Sequence, residues 1–127
     1  MKTRLFTSKE AKDILSELEN KIRLTPNIIC RYAIIMSIKS KTKLNFTYDN
    51  GGQEFHRPVL TGEYDILFRE LIKFHENRNI SDDEYFSLYL KAHIENGIRM
   101  LKTEIDLCGS FDSFLNEYYN PERGGLI

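Results

Sequence analysis

Residues 22–38 read IRLTPNIICRYAIIMSI, and this stretch constrains the fold more than any other. Thr25-Pro26-Asn27 has the form of a helix start. The threonine hydroxyl can accept from an orphan N–H, and proline at the first helical position gives up a donor that has no partner there. Behind it, Ile28, Ile29, Tyr32, Ala33, Ile34, Ile35, Met36 and Ile38 leave almost no polar face. A helix that is apolar nearly all round has to be covered on several sides, by its own chain or by a second subunit. Arg31 is the one charge early in this hub helix, and its placement predicts pairing at a subunit contact.

Upstream, residues 2–6 (KTRLF) alternate and predict a short extended segment. Thr7, with Glu10 three residues on, has the form of a capping box. Ala11, Ile14, Leu15, Leu18 and Ile22 then recur at helical spacing as one apolar stripe. Extended segment, helix, short turn, helix is the order of a ribbon-helix-helix unit, in which the strand pairs with that of a dimer mate and enters the major groove. On that reading Lys2 and Arg4 face DNA, and the start of the hub helix lies near a phosphate. The plainer reading is an N-terminal arm followed by an αα-hairpin.

Downstream, Lys39, Lys41 and Lys43 alternate with Ser40, Thr42 and Leu44 just past the expected helix end. Such a run suits phosphate contact without sequence readout, and equally suits cations placed against a helix dipole. Asn45 to Tyr48 predicts a brief strand, and Asp49-Asn50-Gly51-Gly52 a turn. Thr61 is expected to cap a helix whose inner face carries Tyr64, Leu67, Phe68, Leu71 and His75. Ser81 and Glu84 form a second capping box, opening a helix that runs to about Thr103. Its stripe is Phe86, Tyr89, Leu90, His93, Ile94, Gly97, Ile98 and Leu101. Glycine in mid-helix costs up to about 1 kcal/mol against alanine, so Gly97 predicts the close approach of another helix. A last short helix starts after Ser110 and stops at Pro121. The fold class is mainly α: a compact multi-helix domain spanning residues 1–127, with a short N-terminal extended segment and a ribbon-helix-helix-like start.

The formal net charge of −1 conceals a split. Residues 1–57 hold 11 Lys/Arg against 6 Asp/Glu, and residues 58–127 hold 7 against 13. Either a basic surface awaits an anionic partner, or the two halves attract each other across the fold. No apolar run reaches the ~20 residues of a membrane span. Cys30 and Cys108 fit no metal or redox spacing, and Cys30 reads as a buried free thiol in a reducing, cytoplasmic setting. Glu54, His56 and Arg57 lie close together, but no third group is placed for acid–base work. His75 and His93 are isolated, and Gly51-Gly52 lacks the Lys-Ser/Thr of a phosphate loop. Neither a catalytic residue nor a metal or other cofactor is expected. Arg57 instead predicts a bridge from its turn to Glu63 or Asp65.

Several fragments occur in a telling order. Arg23-Leu24-Thr25-Pro26-Asn27 leads to Cys30-Arg31, then Gly52-Gln53-Glu54-Phe55 with Arg57, then Leu60-Thr61-Gly62-Glu63-Tyr64-Asp65, then Ala92-His93-Ile94 and Gly97. Together, from about Arg4 to Leu101, they resemble the DndE family of DNA sulfur-modification proteins. The resemblance implies a small helical homotetramer of the bacterial phosphorothioation system, which replaces a non-bridging phosphate oxygen of DNA with sulfur. That sulfur passes from a cysteine desulfurase through an iron–sulfur partner and an ATPase-like subunit. The family member is implied to be an accessory subunit and not an enzyme, binding double-stranded DNA, with a preference for nicked duplex, through surface lysines. Lys2, Arg4, Lys39, Lys41 and Lys43 are the candidate DNA contacts here, with Lys9 and Lys12 as further positions. Two other readings stand beside this one. A ribbon-helix-helix repressor would bind a palindromic operator, and an assembly scaffold would dock the other sulfur-modification subunits through its acidic half.

Overall fold

The computed structural model describes residues 2–120 and 125–126, with side chains to residue 117. The stop expected at Pro121 lies outside the described residues. In chain order the elements begin with β1 (Arg4–Phe6), α1 (Lys9–Ile22), α2 (Pro26–Ser40), β2 (Glu54–His56), α3 (Arg57–Leu60) and α4 (Asp65–Glu76). There follow α5 (Asp82–Glu84), a π-helical stretch Tyr85–Leu90, α6 (Lys91–Cys108) and α7 (Phe111–Tyr118).

The stripe expected on α1 is the one it buries: Ala11, Ile14, Leu15, Leu18 and Ile22. Its cap is one residue later than the sequence predicts. Ser8 takes the N-cap position, and its Oγ accepts the Ala11 N–H at 3.0 Å. The reason is a long-range partner. The fully buried Glu95 carboxylate accepts the Ser8 N–H at 2.7 Å and the Ser8 hydroxyl at 2.6 Å, which fixes Ser8 at the helix start. Thr7 serves the sheet instead, accepting the Gln53 N–H at 2.9 Å.

α2 begins at Pro26 as expected, with Thr25 at the N-cap position but no side-chain cap bond from it. It lies antiparallel to α6: Ser37 meets His93 and Asn96, while Ala33 meets Gly97. A methyl group at Gly97 would fall 1.9 Å from the Ala33 carbonyl oxygen, so backbone touches backbone there. This is the close approach that the mid-helix glycine predicts. α1 runs parallel to α6, and the pairs Glu10–Arg99, Glu17–Lys102 and Lys21–Asp106 advance together along both helices.

Ile29, Ala33 and Ile34 of α2 pack in the core with Ile94, Ile98 and Leu101 of α6. Each such aliphatic side chain contributes about 1.5–3 kcal/mol on burial. The capping box at Ser81 and Glu84 is present with both of its hydrogen bonds. The helical run it opens continues to Cys108, five residues past the expected end, because Ile105 is still buried and Gly109, at φ +85°, is the first residue to turn out.

Three expectations change. The N-terminal strand is present, but β1 pairs antiparallel with β2 of the same chain, Arg4 opposite His56 and Phe6 opposite Glu54. The ribbon of a ribbon-helix-helix dimer would take that partner from a second subunit, so this strand is used internally. Residues 45–48 form no strand. On α4 the buried residues are Phe68 and Ile72; Tyr64 and Leu67 point outward. With Ile28, Tyr32 and Ile35 of α2 they line an open groove of about 300 Å³. The apolar excess of α2 is thus only partly covered by its own chain: Tyr32 is 56% exposed.

Candidate nucleic-acid interface

Lys39, Lys41 and Lys43 are all exposed, and none takes part in an ion pair among the described residues. Lys39 is in the last turn of α2, and Lys41 closes the helix in the left-handed conformation at φ 56°. The segment that follows has no regular structure, yet it is fastened at several points. Phe46 meets Tyr89 edge to face at 5.3 Å, and Arg99 lies 4.7 Å over the Tyr48 ring. The Asp49 carboxylate accepts the N–H groups of Lys9 at 3.0 Å and Gly51 at 2.9 Å, and Lys91 Nζ donates to the Asp49 carbonyl at 2.7 Å. Those two N–H bonds hold the Asp49 carboxyl below its usual range. Sequence reasoning found the three lysines and missed these anchors. Only the aromatic residues at 46 and 48 signalled them.

The other two candidates lie at the opposite end of α2. β2 runs beside Pro26 and Asn27, whereas Lys39 and Lys41 lie some 15 residues along, about 20 Å at 1.5 Å per residue. Lys2 is exposed, but its carbonyl accepts from Arg57 at 3.1 Å. Arg4 pairs with Glu54 on the adjoining strand at 3.0 Å, which offsets its charge. The five candidates therefore form two groups: Lys2 and Arg4 by the sheet, where only Arg4 is ion-paired, and Lys39, Lys41 and Lys43 at the C-terminal end of α2. Lys9 and Lys12 on α1 are likewise exposed and in no ion pair among the described residues. At the N-terminus of α1, Glu95 accepts the Ser8 N–H and Asp49 the Lys9 N–H.

The remaining charged clusters hold the fold. Arg57, 5% exposed, reaches Asp65 at 2.8 Å and Asp82 at 2.7 Å, with its guanidinium 4.7 Å over the Phe86 ring. Of the two partners expected for it, Asp65 is found and Glu63 is not. Asp82 and then Asp65 raise its affinity for the proton against the cost of burial. Burial pushes Asp65 up, but Arg57, Thr61 and Tyr85 outweigh it and hold the carboxyl below the usual range. Asp82 is held low chiefly by Arg57.

Glu54 and His56 share the outer face of β2, and Arg57 turns away from them into this cluster. Arg31 closes α3, donating to the Leu60 carbonyl at 2.9 Å and the Val59 carbonyl at 3.0 Å. Arg31 also lines the open groove between α2 and α4. Asn96 donates to Ser37 Oγ at 2.8 Å, which leaves the serine hydrogen for His93 Nδ1 at 2.8 Å and puts the imidazole proton on Nε2. His93 Nε2 is buried with no hydrogen-bond partner among the described residues, and burial, with His75 beside it, lowers the histidine to about 4. Among the described residues no group of three or more His, Cys, Asp or Glu is placed to hold a metal.

The family model for the DNA sulphur modification protein DndE matches residues 4–108, from the first residue of β1 to the last of α6. The chain belongs to the DndE family. Crystal structures of DndE proteins share the fold. DndE from Escherichia coli B7A, involved in DNA phosphorothioation modification, superposes with a TM-score of 0.65 at 22% identity, covering 77% of this chain and 96% of that one. A glycine-to-lysine mutant of DndE involved in DNA phosphorothioation gives 0.65 at 23% identity, covering 80% and 98%. No curated protein matches.

Two of the DndE-like fragments meet in space. Gly62, at φ +55°, comes so near Arg31 that an added Cβ would lie 3.1 Å from the guanidinium. α7 lies beyond the stretch that carries the DndE match. No helix among the described residues is long and apolar enough to cross a membrane.

Proposed function

We propose that this DndE family member is a DNA-binding accessory subunit of a cytoplasmic DNA phosphorothioation system, acting as a homotetramer and making or breaking no bond itself. Its partners are double-stranded DNA, nicked duplex included, and the other sulfur-modification subunits. One observation carries the DNA-binding part: Lys39, Lys41 and Lys43 stand exposed and unpaired at one helix end, on a segment clamped by Tyr89, Arg99 and Lys91. Cations without base-edge groups around them position a phosphate backbone and do not read sequence. The exposed apolar face of α2 and α4, with Tyr32, Ile35, Tyr64 and Leu67, supports assembly, since a soluble monomer seldom leaves such a patch bare.

Light scattering should give about 60 kDa for four chains of 15.0 kDa. Binding should be sequence-blind and fall steeply with salt. Each neutralised phosphate contributes about −0.9 to the slope of log K against log salt, so replacing all three lysines by Glu should flatten it by about 2.7 for each chain in contact with the DNA. Unchanged affinity and slope would reduce the lysines to a helix-end feature. A dimer preferring one palindrome would point to a repressor instead.

A further inference from the structure

We propose that Phe46 is a stacking platform for an unpaired nucleobase, with Lys43 and Lys41 taking the phosphates beside it. This rests on the DNA-binding reading above and adds a ligand class to it. Phe46 is 48% exposed although it sits in a segment otherwise pinned to the fold. Its ring is held in place: Tyr89 meets it at 5.3 Å and 79°. Tyr89 is itself fixed, its hydroxyl accepting from Arg78 at 2.7 Å and its ring lying 5.4 Å under the same guanidinium. Arg78 is paired with Glu84 at 3.2 Å, so it supplies position and little free charge. The free charge comes from Lys43, three residues from Phe46 and so within about 11 Å along the chain.

The surroundings favour a base over an apolar protein partner. The exposed residues flanking Phe46 in sequence are Lys41, Thr42, Lys43, Asn45 and Thr47, all polar or cationic. The nearest acid in sequence, Asp49, directs its carboxylate at the backbone N–H groups of Lys9 and Gly51. An aromatic face flanked by lysines is the arrangement that holds a single strand, because every base has a π-face and every nucleotide a phosphate. An intact duplex hides its base faces. The platform therefore adds affinity only where a base is unstacked, as in a gap or a frayed end.

The test uses the full chain with an intact duplex and the same duplex carrying a short gap that holds 2-aminopurine. Wild type should quench the 2-aminopurine and prefer gapped over intact DNA by roughly five- to a hundred-fold, the range for stacking one base. Phe46→Ala and Phe46→Leu should lose that preference, affinity for gapped DNA falling further than affinity for intact duplex, and Phe46→Tyr should keep it. The leucine variant retains the apolar contact with Tyr89, so an unchanged melting temperature separates lost stacking from lost folding. If wild type binds DNA without quenching, or if the variants weaken gapped and intact DNA equally, Phe46 is only a loop anchor and the proposal falls while the DNA-binding reading stands. If wild type binds no DNA at all, both fall.

Discussion

Replacing Gly97 by alanine tests the packing on which every other feature depends. Alanine is the better helix former by about 1 kcal/mol, so on propensity alone Gly97→Ala should stabilise α6. The structure predicts the reverse. The new methyl group would lie 1.9 Å from the Ala33 oxygen, 2.4 Å from its carbonyl carbon and 2.8 Å from its Cα. All three are backbone atoms, so no rotamer change relieves them. Restoring contact distance requires α2 and α6 to part by about 1.5 Å, and a gap of even 0.5–1 Å forfeits a quarter to a half of each dispersion well. Ile29, Ile34, Ile94 and Ile98, which share this part of the core, would all lose contacts. Overpacking of this kind costs about 3 kcal/mol or more, leaving a net loss of at least about 2 kcal/mol after the propensity gain. That corresponds to a melting temperature lower by about 8 °C for a domain of this size. Urea unfolding followed by circular dichroism should show a lower midpoint at unchanged slope. Ala33→Gly added to Gly97→Ala should not rescue it, because the clash is with the Ala33 main chain. A variant as stable as wild type, or rescue by Ala33→Gly, would refute the claim that the two backbones touch.

Three further outcomes follow from the charged and apolar groups. Asp65 and Asp82 are held below the ordinary carboxyl range, so the stability they contribute is complete above the unfolded value of about 3.9 and is lost as the pH falls below it. The urea midpoint of Asp82→Asn should therefore vary less below pH 4 than that of wild type. His93 falls to about 4 from an unfolded value of 6.5, so its contribution is present above pH 6.5 and fades between there and 4, to a total of about 3 kcal/mol. His93→Phe should remove that slope from the melting curve, and proton NMR should find a neutral His93 at pH 5.5 in wild type. Tyr32→Asp puts a charge into the exposed α2–α4 face and should lower the mass seen by light scattering without lowering helix content; an unchanged mass would place the subunit contact elsewhere.

What the sequence disclosed and what it concealed divide along the range of the interactions. Ser81 and Glu84 were readable because both halves of the capping box lie within one turn. The same pattern at Thr7 and Glu10 misled by one residue, since the partner that selects Ser8 is Glu95, which no local reading can place. Arg57 was recognised as a bridge, yet its closest carboxylate is Asp82, beyond α4. On α4, helical spacing alone puts Tyr64, Leu67, Phe68, Leu71 and His75 on one inner face. Periodicity reports apolar residues on a side of a helix but not whether that side meets the core or open solvent, and here Phe68 and Ile72 take the core. The lysine run was visible as composition. The platform that holds it was not, because Phe46–Tyr89 and Tyr48–Arg99 each join residues more than forty positions apart.

The contrast between a basic first half and an acidic second half left two readings open, and the pairing pattern decides between them locally. Arg57 with Asp65 and Asp82, and Lys21 with Asp106, are first-half cations neutralised by second-half acids. Attraction across the fold thus accounts for part of the split. Traffic also runs the other way, with Arg99 on Glu10 and Lys102 on Glu17, so the α1–α6 seam is balanced and is not a sink for the excess. Lys39, Lys41 and Lys43 take no part in any of these pairs. A net charge of −1 is therefore compatible with a locally cationic surface, because the total is an average over a seam that cancels and a helix end that does not. That end sits on the helix whose Ile28, Tyr32 and Ile35 line the open apolar groove. At spacings of four, three and four residues, Lys39 continues the line of Ile28, Tyr32 and Ile35, so one helical stripe passes from apolar contact to free charge.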